Sequence, residues 1–294
     1  MDDDKECQFH LHLKYDYNMD NVDKFQQQAK TLHIYIFDEN DLFVKQIEQS
    51  EDELISNMID LTLPSKAYGK QYTFLAWVGI DYEHIVATTP VVGETALKEL
   101  EVALNYERRS TKALNPLMVG ELKAVVNPGQ VETISLIKNT NKFRIVLRVP
   151  ANNESSRALK SEDYNIYIES NNTRYNNRNE IISDNLMHYQ PYYKKNDEDG
   201  FTLEISTLRI VEHRHNSLVI EIADTQKEVL KIDLNKYLED LRFISNNHMS
   251  RQEFFDREDE FAIIIFLGNT SPFKGYAIEI NGWLIREAEY DDLI

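Results

Sequence analysis

Apolar and polar residues alternate along several short stretches of the chain, which is the pattern of strands that bury one face. In Gln8–Asp16, the apolar residues take every second position from Phe9 to Tyr15, and the polar ones lie between them. Lys142–Val149 shows the same alternation. Because successive side chains of a strand point to opposite faces, both stretches are predicted to be strands with one face in a core.

Two further stretches predict a hairpin in the first half of the chain. Thr31–Phe37 and Leu42–Ile47 are rich in β-branched and aromatic residues, and Asp38–Asp41 separates them. Asp and Asn tolerate turn geometry and bond their own backbone. The four residues are therefore predicted to form the tip of the hairpin.

The longest continuous apolar run is Phe261–Leu267. It has the length and composition of a strand buried on both faces. Beyond a turn signal at Ser271-Pro272, the stretch Tyr276–Trp283 alternates between apolar and polar residues. The two stretches together predict a hairpin that closes a sheet.

Other short runs also have strand character. They are Leu54–Leu63, Tyr72–Val78, Glu121–Val126, Val131–Ile137, Tyr164–Glu169, Phe201–Ile210, Ser217–Ile222 and Val229–Leu234. Leu97–Leu104 fits both helix and strand spacing, and it is assigned to a strand because its neighbours are strands. Tyr237–Ile244 is the convincingly helical stretch, and Asn21–Lys30 is either a short helix or a crossing loop.

The chain of 294 residues is long enough for two domains of ordinary size. Pro150–Ser156 follows a strand and contains little that could be buried, so it is the predicted linker. The prediction is an N-terminal domain over residues 1–150 and a C-terminal domain over 151–294. The fold class is mostly β, with few short helices.

Charge excludes one class of partner. The chain has 32 Lys and Arg residues against 50 Asp and Glu, a formal net charge of -18. Such a charge repels nucleic acid at long range, so no nucleic-acid partner is expected.

No apolar segment approaches the ~20 residues that span a bilayer. The residues from Met1 to Glu6 lack the apolar core of a signal peptide, and the chain as given is expected to be soluble.

Histidines and acids offer candidate metal ligands, and each has a simpler interpretation. His10 and His12 share one face of a strand without an identifiable third ligand, and His213 and His215 have the same spacing. Asp38–Asp41 lacks the glycine and the distal glutamate of a calcium-binding EF-hand loop. The sequence therefore predicts no metal site and no cofactor.

Catalysis has little support either. Asp256–Glu260 contains enough carboxylates for acid–base chemistry, but an acidic loop with local arginine pairing is the favoured interpretation. The chain contains no nucleophile elbow, P-loop, dinucleotide fingerprint or zinc-protease motif. Cys7 is the only cysteine, which excludes an intrachain disulfide, and no base is identified for it as a nucleophile. We expect a protein that is not an enzyme.

Six stretches carry a family resemblance that extends over most of the chain. They are Lys14–Asn18, Ile34–Asn40, Leu75–Trp77, Lys138–Leu147, Phe255–Phe261 and Ile280–Trp283. In this order they resemble the FimB/Mfa2-like family of fimbrillin-associated anchor proteins of Bacteroidales.

The resemblance implies two tandem transthyretin-like (Ig-like Greek-key) β-sandwich domains. It also implies a structural subunit of a fimbria (pilus), namely the accessory protein that anchors the fimbria at the outer membrane or terminates its assembly. Shaft or accessory subunits would be its partners. Attachment to the outer membrane would use a lipid on a cysteine upstream of this chain, which is not Cys7, so the full-length precursor would be a cell-surface lipoprotein.

A partner strand could pair with an open sheet edge, gaining main-chain hydrogen bonds and pockets for alternate side chains. The candidate partner-binding residues are Leu284, Ile285, Tyr290, Leu293 and Ile294. The alternative is that this segment is only the last edge strand and a frayed terminus.

A different function also remains open at the level of the sequence. A cell-surface glycan- or ligand-binding module (adhesin) could stack sugars on Tyr189, Tyr192 and Tyr193. The alternative interpretation of these tyrosines is simple packing under a loop.

Overall fold

The computed structural model describes residues 7–105, 109–149, 159–183, 185–267 and 275–289. Within these ranges the chain is mostly β, as predicted, and short helices are few. The strands are β1 (Cys7–Lys14), β2 (Leu32–Phe37), β3 (Phe43–Gln49), β4 (Met58–Leu63), β5 (Gln71–Val78), β6 (Ile85–Ala87), β7 (Glu101–Leu104), β8 (Arg109–Ser110), β9 (Met118–Val125), β10 (Val131–Ser135), β11 (Ile137–Lys138), β12 (Thr140–Arg148), β13 (Tyr164–Ser170), β14 (Arg174–Asn176), β15 (Met187–Tyr189), β16 (Tyr193–Asn196), β17 (Gly200–Leu208), β18 (Asn216–Ile222), β19 (Glu228–Asp233), β20 (Glu260–Leu267), β21 (Gly275–Ile280) and β22 (Trp283–Glu289).

Three α-helices accompany the strands in the described ranges. They are α1 (Phe25–Gln28), α2 (Leu234–Ser245) and α3 (Arg251–Arg257). Single 3-10 turns occur at Ser65–Ala67, Leu97–Glu99 and Ser161–Asp163. No helix in the described ranges is long and apolar enough to cross a membrane.

The chain divides into two compact units. The first contains residues 1–105, 114–140 and 174–183, and the second contains residues 106–113, 141–173 and 184–294. Each unit thus draws on separate stretches of sequence, whereas the predicted domains were continuous. The predicted linker, Pro150–Ser156, lies outside the described residues. The ranges 1–150 and 151–294 therefore stay predictions for domains that would fold on their own.

The first unit buries one core between two sheets, whose strand orders are β10-β1-β4 and β11-β9-β5-β2-β3. The alternation predicted for β1 is confirmed, since Phe9, Leu11 and Leu13 are fully buried in this core. Phe9 stacks on Phe74 of β5 at 5.3 Å between ring centroids. The predicted first hairpin is also confirmed, because β2 and β3 pair antiparallel.

The five-stranded sheet of this unit is buried on both faces around β2. All six residues of β2 are buried. Tyr35 faces away from the core just described and packs edge-on against Trp77 of β5, with ring centroids 5.3 Å apart. A further sheet in the same unit has the order β14-β7-β6.

The second unit is a sandwich of two sheets, with orders β16-β17-β12-β20-β21-β22 and β19-β18-β13-β15-β8. Inside the first of these, β12 and β20 run parallel, and Phe143 stacks on Phe261 at 5.2 Å. The rings of Tyr164 on β13 and Phe201 on β17 have centroids 5.9 Å apart, so the two sheets contact each other.

The prediction that Phe261–Leu267 is buried on both faces is wrong. In β20 the residues Phe261, Ile263 and Ile265 are buried, whereas Ala262 is exposed. The reason is the sandwich, in which only one face of the six-stranded sheet meets the other sheet. The hairpin itself is confirmed, because β20 pairs antiparallel with β21. It does not close the sheet, since β22 pairs with the far side of β21.

Several boundaries differ from the predicted ones. Leu97–Leu104 is both a 3-10 turn and a strand, β7. Val131–Ile137 yields β10, which pairs parallel with β1. The predicted strand Leu54–Leu63 begins only at Met58.

Helix α3 was not predicted, and its last two residues, Asp256 and Arg257, were assigned to an acidic loop. It begins at a cap that the sequence does contain, since the Ser250 hydroxyl accepts a hydrogen bond from the Glu253 backbone N–H at 3.2 Å. Serine followed three residues later by glutamate is a helix-start signal.

Candidate functional site

Strand β22 is an edge of the six-stranded sheet, and in the described part of the chain it pairs only with β21. Of the predicted partner-binding residues, Leu284 and Ile285 lie on this strand. Tyr290, Leu293 and Ile294 lie outside the described residues. An unpaired strand edge presents a row of backbone N–H and C=O groups that another chain can bond.

A tight turn positions the start of β22. Asn281 and Gly282 have φ angles of 49° and 82°, which suit a two-residue hairpin with both central residues left-handed. The Asn281 side chain accepts from the Ala262 N–H at 2.7 Å and donates to the Glu260 carbonyl at 3.3 Å. Asn281 therefore ties the hairpin tip to β20, which fixes where β22 begins.

Apolar side chains accompany this open edge. Trp283 and Leu284 are 48% and 55% exposed. Helix α2 lies beside β22, and its residues Phe243 and Ile244 are exposed as well. We call the backbone of β22 together with these four side chains the edge surface. Exposed apolar groups next to free main-chain groups are what an added strand would bury.

Helix α2 is held by its own cap and by its inner face. The Asp233 side chain accepts from the Lys236 N–H at 3.3 Å, and residues such as Tyr237 and Leu241 are buried. Near its end, Arg242 pairs with Glu239 at 2.8 Å and its guanidinium lies 4.5 Å from the Phe243 ring centroid. The cap and these contacts stabilise α2 up to its exposed end.

The edge strands β3, β4 and β16 carry features that hinder pairing. The Lys45 ammonium donates to the Thr62 carbonyl on β4 at 2.8 Å. The Phe43 N–H of β3 is already bonded to the Thr95 carbonyl at 2.9 Å. Strand β16 is short, and Lys194 and Lys195 are exposed on it. Lysine side chains and short strands are common means of protecting sheet edges.

The paired histidines of the sequence are engaged by neighbouring side chains. His10 Nδ1 lies 2.6 Å from Asp60 Oδ1, and His12 Nε2 lies 2.9 Å from Asn57 Nδ2. The His213 and His215 rings contact Glu212 and Glu169 at 3.0 Å and 3.3 Å. The described residues contain no group of three or more His, Cys, Asp or Glu side chains arranged to hold a metal ion.

The Asp38–Asp41 segment is a hairpin tip in the structure. The Asp38 carboxylate accepts from the Asn40 and Leu42 N–H groups at 2.9 Å and 3.0 Å. Its oxygen is therefore used to stabilise the turn, in the way that aspartate commonly does.

Asp256, the first acid of Asp256–Glu260, takes part in a largely buried network, and its arginine partner Arg209 is distant in sequence. Asp256 Oδ1 lies 2.6 Å from the Arg209 guanidinium and also accepts from Gln252 Nε2 at 2.7 Å. Asn141 joins the same region, since it accepts from the Ile210 N–H at 2.8 Å and donates to the Glu258 carbonyl. Asp256 and Asn141 belong to stretches that carried the family resemblance, and both have structural roles here.

The tyrosines considered as a sugar-stacking platform do not share one surface. Tyr189 is fully buried, and its hydroxyl donates to the Asn172 carbonyl at 2.8 Å. The Tyr192 hydroxyl donates to Glu204 at 2.8 Å. Tyr193 is exposed on β16. That predicted platform is therefore wrong, because Tyr189 packs in the core.

A polar and aromatic cluster that the sequence did not indicate lies in the first unit. Gln46 Nε2 donates to Glu48 Oε1 at 2.6 Å and lies 3.2 Å from His33 Nδ1. The His33 and Tyr82 rings meet edge-on at 5.5 Å between centroids. The Tyr82 hydroxyl lies 3.4 Å from Glu48 Oε1. We call these four residues the Tyr82 cluster.

Burial of His33 gives the cluster a pH dependence. Desolvation lowers the pKa of this imidazole below its usual value of 6.5, against the opposing effect of Glu48. At a pH between the two pKa values, the unfolded chain protonates His33 and the folded protein keeps it neutral. The free energy of unfolding therefore decreases as the pH falls below 6.5, the usual pKa. We expect the free energy of unfolding to fall more between about pH 7.5 and about pH 5.5 in the wild type than in His33→Gln, measured by urea denaturation. The exposed His213 supplies the control variant His213→Gln, and an unchanged pH profile in His33→Gln would contradict the prediction.

The molecule consists of two units built from packed β-sheets, and the second unit has an open edge strand, β22. These features define a mostly β protein with a surface suited to strand pairing. A model of the fimbrillin-A associated anchor proteins Mfa1 and Mfa2 matches residues 2–289. The chain belongs to this family of fimbrial anchor proteins. No protein with a curated description matches it in sequence.

Solved structures share the fold over nearly the whole chain. A protein from Bacteroides thetaiotaomicron, proposed to bind polysaccharide, is 26% identical, has a TM-score of 0.84, and is matched over 97% of this chain and 99% of its own. A proposed adhesin from Bacteroides ovatus is 21% identical with a TM-score of 0.83, over 99% and 97% of the two chains. The fimbrial anchor protein Mfa2 from Porphyromonas gingivalis is 18% identical with a TM-score of 0.72, over 97% and 100%.

Proposed function

We propose that this protein anchors a fimbria at the outer membrane or terminates its assembly, and that it contacts the shaft subunit through strand pairing at β22. Family membership supports a fimbria-associated role at the cell surface. The observation that carries the contact is the open edge of β22, together with the exposed side chains of Trp283 and Leu284. The role is structural, and we assign no reaction to it.

An added strand would gain two kinds of interaction at the edge surface. Each main-chain hydrogen bond contributes about 0.5–1.5 kcal/mol net. Trp283, Leu284 and the α2 residues Phe243 and Ile244 would lose exposed apolar area, at about 25 cal/mol per Å². The partner segment would therefore be extended and would carry apolar side chains at alternate positions.

Membrane attachment is the second part of the proposal. A lipid on a cysteine upstream of the present sequence would hold the protein at the outer membrane, while the second unit presents β22 to the fimbria. The transthyretin-like arrangement of each domain, inferred from the family resemblance, belongs to the same proposal.

The strand-pairing contact is tested by placing a charge on the edge surface. Leu284→Lys should weaken binding to the purified shaft subunit at least about tenfold, which corresponds to about 1.4 kcal/mol, because an edge lysine opposes strand addition. Binding is measured by surface plasmon resonance, and retention of fimbriae on cells carrying the variant is measured by immunoblotting of cell and medium fractions.

The matched control is Val92→Lys, an apolar residue of the first unit that is 66% exposed, against 55% for Leu284. It should leave both readouts unchanged. Wild-type affinity in Leu284→Lys would exclude the β22 contact, although the anchor role could then use another surface.

A glycan-binding function is a second candidate. The 26% identical structure is that of a protein proposed to bind polysaccharide, and another relative of the same fold is a proposed adhesin. With Tyr189 buried, such a function needs a different aromatic site on this chain.

A further inference from the structure

The turn before β6 presents an aromatic side chain in an unusual backbone conformation. Tyr82 has φ of 56°, in the left-handed region that residues other than glycine and asparagine seldom occupy. It is nevertheless 49% exposed. The ring packs on His33 with one edge contact and still leaves about half of the residue in solvent, so its conformation points to a use at the surface.

Asp81 holds this turn. Its carboxylate Oδ1 accepts from the backbone N–H groups of Glu83, His84 and Ile85 at 3.1 Å, 2.7 Å and 2.9 Å. The other oxygen lies 2.7 Å from His84 Nδ1. Accepting these bonds lowers the pKa of Asp81 although burial opposes this, so it stays ionised and keeps the turn closed. Tyr82 is thereby fixed on a rigid turn.

Two planar polar side chains from β3 lie beside the tyrosine. The Gln46 amide and the Glu48 carboxylate bond each other, and Glu48 is also close to the Tyr82 hydroxyl. His33, which is buried, contacts Gln46 and the Tyr82 ring from below. The polar groups are therefore oriented before any ligand arrives, which reduces the entropy lost on binding.

The charges of the cluster select among ligands. Glu48 is the charged member, and no Lys or Arg in the described ranges forms an ion pair with it. Glu83 is adjacent to Tyr82, and the whole chain carries a net charge of -18. Phosphate, sulfate and carboxylate ligands would be repelled. A neutral ligand with many hydroxyl groups suits an aromatic face next to an amide and a carboxylate. The carboxylate accepts hydrogen bonds from hydroxyls, and the amide both donates to them and accepts from them.

We propose that the Tyr82 cluster is a binding subsite for a neutral saccharide. The Tyr82 ring packs against the C–H face of one sugar residue, and Gln46 and Glu48 bond its hydroxyls. The subsite gives the glycan-binding candidate specific residues, and it is independent of strand pairing at β22.

The test uses the full chain on a glycan array that carries both neutral and sialylated oligosaccharides, followed by calorimetric titration of the best neutral ligand. The wild type should bind neutral glycans. Tyr82→Asn should bind at least about tenfold more weakly, while Tyr82→Phe, which keeps the ring, should bind within about threefold of the wild type. Asparagine tolerates the left-handed backbone, so the midpoint of thermal unfolding of Tyr82→Asn should equal or exceed that of the wild type.

Tyr193→Asn is the matched control, because Tyr193 is also an exposed tyrosine and lies in the other unit. It should bind like the wild type. The proposal is overturned if the wild type binds no neutral glycan, if it binds only sialylated ones, or if Tyr82→Asn binds as tightly as the wild type. The β22 contact is assayed with Leu284→Lys, so either proposal can fail without the other.

Discussion

Asp256→Ala is expected to lower the free energy of unfolding by about 3–5 kcal/mol, which is the usual cost of removing one member of a buried ion pair. Asp256 lies 2.6 Å from the Arg209 guanidinium, and the Arg209 and Asp256 side chains are only 9% and 13% exposed. The variant would leave Arg209 charged and unpaired, and Arg209 Nε already has no hydrogen-bond partner among the described residues. Gln252 would lose the acceptor of its side-chain amide as well. Urea denaturation followed by circular dichroism measures the loss.

The same helix supplies the control for this experiment. Arg257 and Glu253 form an i,i+4 pair at 3.0 Å that is more exposed than the Arg209–Asp256 pair. Loss of this ion pair in Glu253→Ala should therefore lower the free energy of unfolding by less than about 1 kcal/mol. Loss of the negative charge from the first turn of the helix should add little to this. The double variant Arg209→Met/Asp256→Leu should recover most of the loss, because no unpaired charge remains. A small effect of Asp256→Ala would show that the network does not stabilise the fold.

Gly79→Ala is the second substitution with a large expected effect, a loss of about 2–5 kcal/mol. Gly79 directly follows β5 with φ of 92°, and a Cβ there would lie 2.2 Å from the backbone oxygen of Pro116. Real Cβ atoms do not approach so closely, so the backbone of one segment must move. The Gly79 N–H also donates to the Thr31 carbonyl at 3.0 Å, and the movement would weaken that bond.

Gly129→Ala separates the clash from the strain of the dihedral angle. Gly129 also has a positive φ, 69°, but a Cβ there would meet nothing within 4 Å. Its substitution should cost only about 1–2 kcal/mol, the price of a left-handed alanine. Equal losses for Gly79→Ala and Gly129→Ala, by urea denaturation, would show that the contact with Pro116 is not the cause.

Part of the candidate site could be read from the sequence. The resemblance and the position of the last strand indicated Leu284 and Ile285, and both lie on the edge strand β22. The neighbouring exposed residues of α2, Phe243 and Ile244, were not predicted. The fold brings α2 next to β22, although the two are distant in sequence. Local patterns therefore do not predict this contact.

The Tyr82 cluster shows the same limit more clearly. Tyr82, Gln46 and His33 come from three separate segments, and none of them stands in a recognisable motif. The turn at Asp81 could have been suspected, since aspartate often caps a turn. The left-handed backbone of Tyr82 and the placing of Gln46 and Glu48 beside it became visible only in the structure.

The sequence by itself determined the class of the protein and most of its strands. Alternation in β1 and the Asp38–Asp41 tip between β2 and β3 depend on local periodicity and turn chemistry, which a short stretch fully encodes. The tertiary structure decided what long-range pairing controls. The parallel pairing of β10 with β1, the one-sided burial of β20, the buried position of Tyr189 and the distant partner of Asp256 all depend on which sheet covers which face. That choice depends on the fold of each whole unit, and no single stretch of the chain contains it.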